Sequence, residues 1–183
     1  MGSDPISLLN RDGMGSDPIF ALLTHMEWAD AITWKAVTTL AAARQDAQVA
    51  DKLYHVHSVH WAYLQVWRGE PVQIPERGTL GDLRALLAWA RPYYPALRAL
   101  VETLDQGALT RPLEFPWATE LVTRFGSVSP ATLAETMLQV AMHTAYHRGQ
   151  VATRIRELGG APQVTDFIMW VWTGRPAPEW PAG

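Results

Sequence analysis

The chain of 183 residues contains no cysteine. Disulfides, thiolate metal sites, thiol nucleophiles and cysteine-held iron–sulfur clusters are excluded together, which leaves difficult chemistry to oxygen and imidazole. Positive charge is not in excess either. Lys and Arg total 15 against 18 Asp and Glu, a net charge of −3, where a nucleic-acid partner calls for a basic field. Long apolar runs are also missing: the longest late one, Phe167 to Trp172, is far below the roughly 20 residues that span a bilayer. The first residues lack the basic-then-apolar pattern of a secretory signal. A cytoplasmic protein with no nucleic-acid and no membrane partner is expected. Catalytic signatures are absent too. There is no G-x-S-x-G elbow and no Gly-rich phosphate loop. In His143-Thr144-Ala145-Tyr146-His147 a threonine stands where the H-E-x-x-H peptidase motif needs its glutamate base.

What is present is apolar bulk: 48% of residues are hydrophobic and nine are tryptophan, enough for one well-buried core at this length. The hexapeptide MGSDPI occurs at Met1 to Ile6 and again at Met14 to Ile19. Residues 1–13 are therefore expected to be a vector-derived or disordered leader, and residues 14–183 a single domain with a Pro/Trp-rich C-terminal tail.

Along that domain the apolar residues recur at helical spacing. Asp17-Pro18 is a cap-plus-proline start for a first helix through Phe20, Leu23, Trp28, Ile32, Trp34, Val37 and Leu40 to about Ala42. A second, with Leu53, Val56, His60 and Trp67 in its stripe, ends at Arg68-Gly69 before Pro71. The third run, Leu80 to Leu104, carries Pro92 and Pro95 and is expected to kink or split. Residues 106–129 read as irregular, with Pro112 to Pro116 and Glu120 to Phe125 suiting either a short hairpin or a loop packed over the bundle. Ser129-Pro130 then opens the longest helix, Pro130 to Leu158, closed by Gly159-Gly160. The expectation is an all-α fold, an antiparallel four-helix bundle with a short irregular or hairpin insertion before the last long helix. The natural cofactor sites of such a fold lie between facing helices. Trp170, Trp172 and Trp180 are expected to cover a bundle end or a homodimer contact.

Five of the six histidines fall in two helical groups: His55, His57 and His60, and His143 with His147. Four residues apart, His143 and His147 project from one helix face, in a stretch where histidine fills the gap of the ladder between Val140 and Val151. A buried imidazole pair without partners forfeits hydration, whereas one cation uses a nitrogen from each. A catalytic zinc uses three protein ligands and an open position. For the third ligand, periodicity nominates His60 or His57 over His55, and spacing leaves the choice open. His25, outside both groups, reads as a surface or helix-packing residue.

His143-Thr144-Ala145-Tyr146-His147-Arg148-Gly149-Gln150-Val151 resembles the H-x-x-x-H-R-G-Q signature of the DinB/YfiT-like superfamily of metal-binding four-helix bundles, which is unrelated to the DNA polymerase sharing the first name. Leu53-Tyr54-His55-Val56, followed by Tyr63-Leu64, Trp67 and Gly69-Glu70-Pro71, resembles its second-helix pattern. Trp28-Ala29-Asp30 resembles its Trp-Ala-Asn element with Asp in place of Asn, and Leu158-Gly159 with Pro162 to Asp166 also fits. The resemblance covers Ile19 to Trp172 and implies that His55, His143 and His147 are the metal ligands, with His60 and His57 as alternates. It also implies that Asp30, Arg148 and Gln150 orient the imidazoles. Arg148 is expected to pair with Glu27 or Asp30, and Gly149 to permit close helix approach. The implied cofactor is one divalent ion, zinc or nickel first. The implied chemistry is metal-assisted hydrolysis or low-molecular-weight-thiol S-transfer on a small molecule, by a metal-activated water or an external thiol. The alternative is a non-catalytic metal-binding or stress-related interaction protein.

Overall fold

A computed structural model describes residues 18–182; residues 1–13, expected to be a leader, and Asp17, expected to cap the first helix, lie outside the described residues. The described part is mostly helical. In chain order it comprises α1 (Pro18–Thr39), α2 (Ala41–Arg44), α3 (Ala47–Arg68), a 3-10 turn (Arg77–Leu80), α4 (Leu83–Ala90), α5 (Tyr93–Val101) and α6 (Gln106–Leu109). There follow β1 (Pro112–Leu113), α7 (Ala118–Phe125), β2 (Ala131–Thr132), α8 (Leu133–Glu157) and α9 (Phe167–Trp172). The third sequence run is indeed two helices, broken at Arg91-Pro92, because proline removes an intrahelical donor and crowds the preceding turn.

Two local expectations are corrected. The longest helix starts at Leu133, not Pro130. Its cap is Thr132, whose hydroxyl accepts from the Glu135 N–H while the Glu135 carboxylate accepts from the Thr132 N–H, a full capping box. The hairpin of 112–116 with 120–125 does not form. Glu120 to Phe125 lies in α7, and the antiparallel partner of β1 is β2, with Pro112 opposite Thr132 and Leu113 opposite Ala131. Residues just before α8 that read as the start of a helix are thus spent on a strand.

The antiparallel arrangement is corrected too. Across the α3–α8 seam, His55 meets His143, His60 meets Thr144 and Trp67 meets Thr136, so these two run in opposite directions. Along α3 and the α4–α5 pair, Tyr54 meets Trp89, His60 meets Tyr93 and Arg68 bonds Ala96; these run the same way. So do α1 and α8, where Leu22 and Ala141 share one cleft and Leu40 and Ile155 another. The physical reason is the link 70–82. At about 3.3 Å per residue it can travel the length of a 22-residue helix and start α4 back at the beginning of α3.

Two apolar clusters fill the interior. One holds Leu23, Met26, Leu64, Trp67, Leu97, Leu133, Met137 and Val140. The other holds Trp34, Val37, Val49, Leu53, Leu86, Leu87, Val151 and Ile155. On α1, α3 and α8 alike, the residues between the two clusters are polar and buried: Asp30, His57 and His60, and Thr144 and Arg148. The molecule therefore carries a polar layer across the middle of its core. After α9 the tail folds back. Trp170 is buried and donates its indole N–H to Pro176 O, Trp180 packs against both clusters, and Trp172 stays exposed. Among the described residues no helix is long and apolar enough to cross a membrane.

Candidate metal centre

The buried stripe of α8 is Leu133, Thr136, Met137, Val140, Ala141, Thr144, Arg148, Val151 and Ile155. Thr144 and Arg148, not histidine, fill its gap, which corrects the ladder expected from sequence. His143 and His147 sit beside the stripe, half-buried, where α8 meets α3. There His55, exposed at the edge of α3, joins them. His55 Nε2 lies 3.1 Å from His143 Nε2, the three ring centroids are 4.3 to 5.0 Å apart, and one ring nitrogen from each falls within 4.8 Å of the others. Two nitrogens bound tetrahedrally to one zinc at about 2.0–2.1 Å stand roughly 3.3 Å apart, so the spacing fits a shared cation.

The protonation states agree. Burial, then the neighbouring His147, lowers the pKa of His55, and burial with His147 and His55 lowers that of His143 to about 4. These rings are neutral, with lone pairs to offer, at neutral pH. His147 Nδ1–H donates to Gln150 Oε1 at 2.8 Å, which fixes the tautomer that leaves Nε2 as the free acceptor. His143 Nδ1 is buried with no partner among the described residues.

Gln150 reaches the triad through His147, whereas the hydrogen bonds of Asp30 and Arg148 bypass it and join the two to each other, one of the two pairings expected for Arg148. Arg148 Nη1 donates to Asp30 Oδ1 at 3.4 Å, and the Tyr94 hydroxyl donates to Asp30 Oδ2. Burial pushes the Asp30 carboxyl up, with the guanidinium opposing it. Glu27 pairs instead with Arg98. Gly149 has open space where a Cβ would stand, so close helix approach does not require it. His25 is buried, and its Nε2–H donates to Thr165 O at 2.9 Å, tying α1 to the segment before α9.

The alternates His57 and His60 face the core. With Asp30 they also bring one possible ligand atom each within 4.8 Å, but their chemistry does not suit a cation. The Trp34 indole N–H can only donate, and at 2.9 Å it does so to His57 Nε2; the proton of that ring therefore sits on Nδ1, and neither nitrogen is available as a ligand. The Thr144 hydroxyl donates to Val140 O at 2.7 Å, so it accepts from His60 Nε2–H at 2.6 Å. Asp30 is already bonded, beside a fixed guanidinium. The outer triad suits a metal; the inner group is a framework held by hydrogen bonds through His57 Nε2, His60 Nε2 and Asp30, with His57 Nδ1 and His60 Nδ1 left without a partner among the described residues. Sequence reasoning missed Trp34, Tyr94 and Thr144 as members of that framework. The available signal was that polar residues lie in phase with the buried stripe at the middle of α1, α3 and α8.

Fold and cluster define a helical protein with a three-imidazole group at the seam of two long helices. The chain belongs to the DinB family, whose model matches residues 14–177. No curated protein matches it.

Proposed function

We propose that the protein binds one divalent metal ion, zinc or nickel, through His55, His143 and His147, and that it is a metal-dependent enzyme of hydrolase or low-molecular-weight-thiol S-transferase type. The observation that carries the reading is the convergence of three imidazoles from α3 and α8, with one nitrogen of each within 4.8 Å of the others and those of His55 and His143 3.1 Å apart. An ion held by three neutral ligands keeps its full charge and supplies Lewis acidity that lowers the pKa of a water or thiol at the remaining position. Gln150 holds the His147 ring in its ligating tautomer. His55 is exposed, so the triad is open to small molecules from solvent. The accompanying fold reading is one domain over residues 14–183, a four-helix bundle in which α4 and α5 together make the one broken helix. The family match over residues 14–177 and the packing of Trp180 on both apolar clusters support it.

The test is metal content of the purified protein. Replacing His143 and His147 together by Ala should abolish bound metal while helical circular dichroism is retained; unchanged metal content would sink the proposal. A non-catalytic reading draws on the fact that the triad bridges two helices, so that an ion would also brace them. Screening electrophiles with several thiols and with water, on loaded and stripped protein, separates the two. Turnover only in the loaded form supports the enzyme, and loss of fold on stripping supports the brace.

A further inference from the structure

At about 100° per residue, Ala141, Ala145, Arg148 and Ala152 lie on the side of α8 opposite His143 and His147. Between that side, α1 and the segment entering α9 is a cleft of about 360 Å³, within the range of roughly 300–1,000 Å³ typical of small-molecule sites. Small side chains on α8 keep it open, while Leu22, Met26 and Phe167 give it apolar walls.

Two buried polar residues also line it. Arg148 is 9% exposed and His25 4%. A guanidinium has five N–H donors in a fixed fork; among the described residues this one makes a single long contact, 3.4 Å from Nη1 to Asp30. Its other nitrogens have no protein partner among the described residues and are not among the polar atoms sealed from solvent, so they open onto the cleft, where a second carboxylate is the group whose geometry matches the fork. Asp166 is exposed at the mouth, placed to meet an ammonium on the outer side of a ligand.

We propose that this cleft binds a small organic carboxylate with a branched apolar body. The carboxylate accepts from Arg148 and the body packs on Leu22, Met26 and Phe167. Asp30 stays on the other side of the guanidinium, so the arginine bridges an internal and a bound carboxylate. The proposal is independent of the metal reading, since none of the triad lines the cleft.

The experiment is a titration of the full ¹⁵N-labelled chain with isovalerate, leucine and isoamylamine. It follows the indole N–H signals of Trp28 and Trp170, whose rings each lie 5.7 Å from His25, and bound metal is measured on the same samples. Saturable shifts with isovalerate or leucine but not isoamylamine support the site. A preference for leucine assigns the ammonium to Asp166, and a preference for isovalerate assigns a simple carboxylate. Arg148→Gln should weaken binding about tenfold or more. Because that change also strips Asp30, Ala145→Phe is the second variant: it fills the cleft, leaves the ion pair intact and should abolish binding. No saturable shift with either carboxylate, an equal response to isoamylamine, or unaltered binding in Ala145→Phe would overturn the proposal, whatever the metal content.

Discussion

His55 and His60 stand five residues apart on α3 in opposite settings, one exposed at the edge and one buried in the core, and apolar periodicity nominates the buried one. The buried face of α3 is Leu53, Val56, His57, His60, Leu64 and Trp67, so periodicity finds the histidines that are core. A ligand that must meet both an ion and solvent belongs at the edge of that face, where periodicity is silent and only the motif resemblance points to His55. A crossed pair of variants checks the assignment. His60→Ala leaves the Thr144 hydroxyl without its donor and opens a void, and should cost about 2–4 kcal/mol of stability with metal content retained. His55→Ala should leave stability within about 0.5 kcal/mol and lose the metal. Gln150 tests the outer support. Gln150→Leu removes the acceptor for His147 Nδ1–H and should weaken metal affinity about 10–100-fold, as such losses usually do, without a change in fold; unchanged affinity in a competitive zinc titration would show that the His147 tautomer is fixed by something else.

Element ends were legible where glycine or proline enforces them. Gly69 has φ +71°, and the N–H groups of Gly69 and Glu70 close back on Val66 and Gln65. Gly159 has φ +83°, and Gly159 and Gly160 close back on Arg156 and Ile155. Both are the paired closures of a helix stopped by a left-handed residue, and the sequence reading stopped both helices there. The start of α8 was less legible, since Ser129-Pro130 and Thr132 with Glu135 are both plausible caps. Pairing of Ala131-Thr132 with Pro112-Leu113 decides between them, and that contact between distant segments has no local signature. Helix direction was illegible for the same reason, since a link of 13 residues can either turn back or cross over. Gly160 gives a quantitative check. A Cβ there would stand 2.7 Å from both Ile155 Cγ2 and Leu40 Cδ2 and 3.1 Å from Ile155 O, pressing α8 away from the end of α1. Gly160→Ala should cost about 1–3 kcal/mol in urea unfolding, the usual range for overpacking; a neutral result would mean that Leu40 and Ile155 repack freely.

At the scale of the whole molecule, the polar layer between the two apolar clusters makes the core sensitive to acid. Burial lowers the pKa of His57 to about 3 and that of His60 well below its ordinary value, and it lowers His25 as well. The unfolded chain protonates such rings near pH 6.5. Between the two values the unfolded state binds more protons than the folded one, so stability rises with pH across that window and is lost as pH falls. Each ring held neutral contributes a slope of about 1.4 kcal/mol per pH unit. Asp30 acts in the opposite sense, because burial raises its pKa and the folded state keeps its proton to higher pH; a single group offsets at most one histidine, leaving the net sign to the rings. Urea unfolding of metal-stripped protein should therefore lose at least about 1.4 kcal/mol per unit between about pH 6.5 and 4.5, with no such slope above pH 7. His57→Leu removes one titrating ring and should flatten that slope by about 1.4 kcal/mol per unit, even though loss of the Trp34 hydrogen bond lowers the absolute stability at neutral pH. A slope identical to that of the unsubstituted protein would mean that His57 is already charged within the fold, against a neighbourhood that holds the Trp34 donor to one nitrogen and no partner among the described residues to the other.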